Sequence, residues 1–254
     1  GEEPVQYLNN PEEFSHGIRS RTIGDISAFN RMRADRVGDP EIETRISQFE
    51  MAARMQTSVP DLADISDEPQ HILDLYGPDV LEPGSYAYNA LMARRLAERG
   101  VRFVQLFQGG WDQHSDLPKN IEKYSKYTDR ANAALIKDLK QRGMLDDTLV
   151  VWGGEFGRTV FCQGKLTETN FGREHHRAGF TMWMAGAGVK PGITYGKTGD
   201  WSFRVTENPM PTHDLNATIM HLLGIDHHRL TYRFQGRDFR LTDLHVHVNT
   251  DILG

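Results

Sequence analysis

TLVVWGGEFGRT, residues 148–159, carries an apolar run of β character straight into a carboxylate, Glu155, set between Gly153-Gly154 and Gly157. An acid at the carboxyl end of an apolar strand has no local structural use, whereas open α/β sheets hold their ligands at that edge. Upstream, VRFVQLFQ (residues 101–108) runs into Gly109-Gly110-Trp111-Asp112-Gln113-His114, so a second strand end delivers Asp112 and His114. FTMWMA (residues 180–185) reads as a third strand. Helical spacing predicts Ser85–Arg99, closed by Gly100, Asn120–Arg142, closed by Gly143, and His213–Leu223. Strands alternating with helices of this length imply βαβ crossovers and a mainly parallel sheet covered on both faces, an α/β architecture.

Towards the N-terminus the order is looser. Residues 1–38 are polar, Arg-rich and weakly periodic, and read as irregular with one helix near Ile23–Arg33. Asp39-Pro40 supplies an N-cap with proline at the first helical position. Ile42, Ile46, Phe49 and Ala53 then predict an amphipathic helix over Glu41–Gln56. Pro60, Pro69, Pro78 and Pro83 mark a connecting segment with short helices at most, such as His71–Tyr76. The expected division is an N-terminal helical and irregular segment, 1–83, followed by an α/β core, 84–254.

A formal net charge of −6 over 254 residues argues against general nucleic-acid binding, which needs a basic face. No run of 18 apolar residues occurs, so nothing in the sequence reads as a membrane span. The single cysteine, Cys162, excludes an intramolecular disulfide and a cysteine zinc cluster. The chain opens on Gly1 with no charged-then-apolar leader, the pattern of a processed or truncated chain with further sequence upstream.

A carboxylate and an imidazole two residues apart at a strand end, Asp112 and His114, suit a divalent cation of borderline hardness such as Zn²⁺ or Mn²⁺. The structural alternative has Asp112 capping turn amides and His114 solvated. Glu155 is either a third acid at the same edge or an acceptor for its own turn, with Arg158 as its ion-pair partner. In Gly172-Arg173-Glu174-His175-His176-Arg177 adjacent histidines point to opposite sides, so one of His175 and His176 is the ligand candidate and the other lies outside it. His227-His228 and His245/His247 lack a strand-end context and are weaker candidates, and His213-Asp214 reads as a helix cap. There is no Gly-x-Ser-x-Gly elbow, P-loop or dinucleotide fingerprint.

The order of GGWDQH, LIKDLKQRGMLDDTLVVWGGEFGRT, GREHH, AGAGVKPG and FQGRDFRLTDLH resembles the C-terminal half of the alkaline-phosphatase/sulfatase superfamily, and more closely an uncharacterised bacterial sulfatase-like family within it. The resemblance runs from around residue 40 to the end. It implies a three-layer α/β/α sandwich lacking its N-terminal part, and an exported or periplasmic location. Asp112 and His114 fall where that superfamily binds a first metal, and His175 or His176 where a later histidine completes it. Glu155 falls in the slot of the acid at a second metal, but Phe156 replaces the histidine expected beside it. The first metal-binding Asp and the nucleophile would lie upstream, and no Cys-x-Pro-x-Arg motif is present. The function implied is metal-dependent hydrolysis of phosphate or sulfate esters, with Zn, Mn or Ca as the cation. Asp112, His114, Glu155 and His175 or His176 would surround one metal, Glu155 and Arg158 would be catalytic, Arg158 and Arg173 would pair with the anion, and the partner would be a sulfated or phosphorylated molecule. The alternative is a non-catalytic binding or scaffold protein that keeps the fold, and Phe156 favours it.

Overall fold

Ser15 and Gly38 bracket the first helix. The Ser15 hydroxyl accepts from the Ile18 amide, and Gly38 closes the far end in a left-handed conformation at φ 70°. The computed structural model describes residues 15–162 and 164–254, and within them α1 spans His16–Val37. The sequence expectation of one short helix in an irregular stretch is therefore corrected for residues 16–37, and its residues 1–14 lie outside those described. Caps at both ends sustain this helix where apolar periodicity is too weak to announce it.

The chain divides into two units, Gly1–Val104 and Gln105–Gly254. In the first, α1 packs on α2 (Pro40–Ala63), and an Arg31–Glu50 ion pair at 2.5 Å links them. The Asp39 carboxylate accepts from the Glu41 amide at the start of α2, and Pro40 takes the first position. The helix continues past Pro60, and its last carbonyls find their donors in another helix. The Arg95 guanidinium of α4 (Tyr86–Glu98) donates to the carbonyls of Leu62, Asp61 and Asp64. Behind it, α3 (Gln70–Tyr76), a 3₁₀ turn at Pro78–Leu81 and α4 enclose Ile72, Tyr76, Val80, Ala90 and Leu91. Glu68 is buried between two guanidiniums, at 2.6 Å from Arg94 and 2.5 Å from Arg95.

The second unit overturns the α/β/α expectation. Its strands form four separate two-stranded antiparallel ladders, with no parallel pairing among the described residues. The unit opens with α5 (Leu117–Gln141), which buries Thr128, Ala131, Ala134, Leu135, Asp138 and Leu139. Then come β1 (Val150–Gly153), β2 (Gly157–Arg158), β3 (His175–His176) and β4 (Met182–Ala185). β1 pairs antiparallel with β4, with Trp152 opposite Trp183 and their rings stacked at 6.1 Å. The reason lies in residues 154–181, where no apolar helical run exists to carry a crossover. The chain instead reverses through β2 and β3, which pair Gly157 with His176 and Arg158 with His175, and so returns to β1 from the opposite direction. The expected strand at Val101–Gln108 has no ladder partner among the described residues, and Phe103 and Phe107 are about four-fifths exposed (78% and 80%).

Beyond β4, β5 (Lys197–Thr198) pairs with β6 (Val205–Glu207), and α6 spans Thr212–Leu222. Asp214 does not cap its own helix: its carboxylate accepts from the His247 amide at 3.0 Å and ties down the C-terminal segment. β7 (Thr231–Phe234) and β8 (Arg237–Arg240) form a hairpin around Gln235-Gly236, both at positive φ, the geometry of a type I′ turn. No described helix is long and apolar enough to cross a membrane.

Candidate metal centre

Three segments build the site: the loop 110–117, β2 and β3. Gly110 lets the loop lie flat on α5, since at φ 94° a Cβ there would sit 2.1 Å from the Tyr124 ring. The stretch before β3 straps the loop down. Asn170 Oδ1 accepts from the Asp116 amide at 2.8 Å, Phe171 O from the Leu117 amide at 2.9 Å, and Gln113 O from the Arg173 amide at 3.0 Å. Gly172 sits inside this strap, where a Cβ would meet the His114 backbone at 2.0 Å. On the far side the Thr159 amide donates to Glu174 O at 2.9 Å, and the Glu174 amide donates to the Thr159 hydroxyl at 3.0 Å.

The result is a convergence on one carboxylate. Asp112 Oδ1 lies 2.8 Å from His114 Nε2, 2.7 Å from His175 Nε2 and 3.0 Å from Arg158 Nη1. One ligand atom from each of Asp112, His114 and His175 falls within 4.8 Å of the other two. The His175 contact first, and then Arg158, hold the Asp112 carboxyl down to about 2. Phe156 stacks on the His175 ring at 5.4 Å, so the residue standing where the resemblance called for a histidine orients a ligand candidate.

His114 is held from both sides, with Nδ1 3.0 Å from Glu174 Oε1 and Nε2 on Asp112. Two carboxylate oxygens facing one imidazole need a proton on each nitrogen or a cation in place of one. A histidine that ligates through Nε2 while Nδ1–H donates to a carboxylate is the common arrangement at metal sites. Glu174 was not among the residues singled out from the sequence.

The remaining candidates take other positions. Glu155, expected as a ligand, lies outside the triad and among the described residues meets the cluster through Arg158, whose Nη2 is 3.5 Å from Glu155 Oε1 and donates to Trp111 O at 3.1 Å. His176 turns away, with Nε2 2.5 Å from Phe203 O and its ring stacked on Phe203 at 4.0 Å. Arg173 stacks its guanidinium on Phe171 and donates to Val160 O at 2.9 Å, so it braces the strap. Gln113, between the two ligand candidates in sequence, is buried with its amide oxygen lacking a hydrogen-bond partner.

The family profile described as "Protein of unknown function (DUF1501)" matches residues 1–253. The chain belongs to DUF1501. No curated protein and no solved structure matches it. Membership in DUF1501, a distinct family, overturns the assignment to a sulfatase-like family of the alkaline-phosphatase superfamily. A strand followed by an acid and a histidine pair before a strand are met equally well by the antiparallel return through β2 and β3.

Proposed function

We propose that this DUF1501 chain binds one divalent cation through Asp112, His114 and His175 and acts as a metal-dependent hydrolase of phosphate or sulfate esters. The observation that carries the reading is the convergence of one carboxylate oxygen and two imidazole nitrogens within 4.8 Å. That donor set suits Zn²⁺ or Mn²⁺ better than Ca²⁺, which prefers an all-oxygen shell. Three protein ligands leave coordination positions open, the arrangement of catalytic rather than structural sites. A divalent cation there would polarise an ester oxygen and lower the pKa of bound water.

The chain's own groups supply the rest. Arg158 sits beside the ligand cluster with a planar fork matched to an oxyanion. Glu155, through Arg158, marks the side on which an incoming anion would displace a carboxylate. The site is open, with the Asp112 side chain 59% exposed, which admits water as hydrolysis requires. A second reading, a non-catalytic binding protein, rests on the same carboxylate: the two imidazoles and Arg158 already satisfy Asp112 Oδ1 as a hydrogen-bond cluster.

The deciding experiment measures bound metal on the natural full-length protein, then turnover of a panel of chromogenic phosphate and sulfate esters with Zn²⁺ or Mn²⁺. One metal per chain, lost in Asp112→Asn, with turnover lost on chelation, is the expected result. Stoichiometric metal with no turnover moves the assignment to the binding role. No metal at all removes both the centre and the hydrolase.

A further inference from the structure

Away from the Asp112 cluster, and sharing no residue with it, the end of α6, the turn after it and the C-terminal segment line an open hollow of about 630 Å³, most of whose residues are exposed and whose floor is the buried His227 and Val246. Four imidazoles from three stretches of chain line it: His221, His227, His228 and His247, against apolar walls from Ile225 and Val246. That volume falls in the range of small-molecule sites, which are mostly apolar with a few convergent polar groups. An adjoining hollow of about 260 Å³ is lined by Arg229 and Leu230.

The hydrogen bonds fix what these imidazoles offer. Arg240 Nη1 lies 2.8 Å from His228 Nδ1, and a guanidinium only donates, so Nδ1 accepts and the ring proton of His228 sits on Nε2. His227 is buried with Nδ1 2.9 Å from the Thr242 hydroxyl, and burial, then the neighbouring His228, hold its imidazole below the ordinary histidine value. Its ring lies 4.0 Å from that of His228. Asp226, the acid on this wall, has Oδ1 engaged by the His228 amide at 2.9 Å. A metal is the wrong occupant, because among the described residues only Asp112, His114 and His175 bring three ligand atoms together. The imidazoles at α6 are spread over the wall of the hollow instead, at the scale of an organic molecule.

We propose that this hollow is a second ligand site, for a small organic carboxylate whose apolar body lies on Ile225 and Val246 and whose carboxylate takes the Nε2–H of His228. Arg240 behind that imidazole polarises the donor, and Arg229 in the adjoining hollow adds a cation beside the head group.

The test is a titration of the full chain, isotope-labelled at histidine, with benzoate followed by imidazole NMR, and with benzamide as the uncharged counterpart. Saturable shifts at His227 and His228, with a Kd on the order of 1 mM and no movement of His114 or His175, are expected. Benzamide should bind at least about tenfold more weakly, and His228→Gln, an exposed position, should weaken benzoate by a similar factor. Absence of saturable shifts, equal shifts with benzamide, or undiminished binding in a folded His228→Gln chain overturns the proposal. The benzoate and benzamide contrast decides the matter on the unmodified chain if the variant does not fold.

Discussion

Gly172→Ala tests the geometry of the candidate metal centre through a residue that offers no ligand atom but packs on the backbone of one that does, His114. A Cβ at this position would lie 2.0 Å from both the carbonyl carbon and oxygen of His114 and 2.6 Å from Gln113 O. All three are backbone atoms, so no side-chain rotation relieves the clash, and the strap must lift off the loop. The bonds at risk are Arg173 N to Gln113 O at 3.0 Å and Leu117 N to Phe171 O at 2.9 Å. Overpacking of this kind costs about 1–3 kcal/mol. For a unit the size of Gln105–Gly254 that corresponds to a fall in Tm of about 3–10 °C. Lifting the strap also pulls Glu174 from His114, and loss of such a partner lowers metal affinity about 10- to 100-fold. Gly109→Ala is the matched control, since a Cβ there meets nothing within 4 Å. Differential scanning calorimetry and Zn²⁺ titration on the three proteins read both effects. A Gly172→Ala chain that melts and binds like Gly109→Ala would refute the close approach of the strap to His114.

Three further outcomes follow from the same contacts. His175→Ala should weaken Zn²⁺ binding by at least about tenfold while His176→Ala leaves it unchanged, because only His175 faces Asp112, and equal losses in a calorimetric titration would count against the assignment. The Asp112 carboxyl, held at about 2 in the fold against about 3.9 in an unfolded chain, makes its contacts fully above about pH 4 and loses them as pH falls through about 2. A carbon-13 titration of Asp112 should find that midpoint, raised in Arg158→Gln, and an unshifted midpoint near the ordinary aspartate value would contradict the cluster. In the first unit, Glu68→Ala removes the carboxylate between two buried guanidiniums and should cost about 3–5 kcal/mol in urea denaturation, with a loss under about 1 kcal/mol as the contrary result.

Helices α2 and α4 are legible in the sequence because their ends are written in residue types, whereas α1, capped at both ends, lacks the apolar periodicity that would announce it. Asp39-Pro40 opens α2 as the sequence suggests, its side chain accepting from the Glu41 amide, and Ser85, expected as the first helical residue, caps α4 by accepting from the Tyr88 amide. α2 overruns its expected end because Arg95, distant in sequence, supplies donors to its last turn. The strands were misread for a different reason. VRFVQLFQ, LVVW and FTMWMA are all apolar enough for a sheet, but composition does not set strand direction; the connection does. Residues 154–181 hold glycine, polar side chains and short apolar pieces, so nothing in them could form the crossover helix a parallel pair needs. That absence is legible in the sequence and outweighs the apolar runs. The hairpin at Gln235-Gly236 was also missed, because its turn opens on glutamine where asparagine or aspartate is the familiar signal.

Asp112, His114 and His175 come together without the expected parallel sheet because they lie in short strings whose contacts depend on register more than on fold class. Alternation along β3 sends His175 to Asp112 and His176 to Phe203, whichever strand lies beside it. Glu174 escaped notice since its partner is neither neighbouring histidine but His114, sixty residues away. The contact is set by one backbone bond, from Arg173 N to Gln113 O, which places residue 174 against residue 114. A slip of one residue would bring His175 to His114 and leave the imidazole without its carboxylate brace. Gly172, the position whose missing Cβ lets the two backbones meet, is therefore as much a determinant of the candidate site as the side chains of Asp112, His114 and His175.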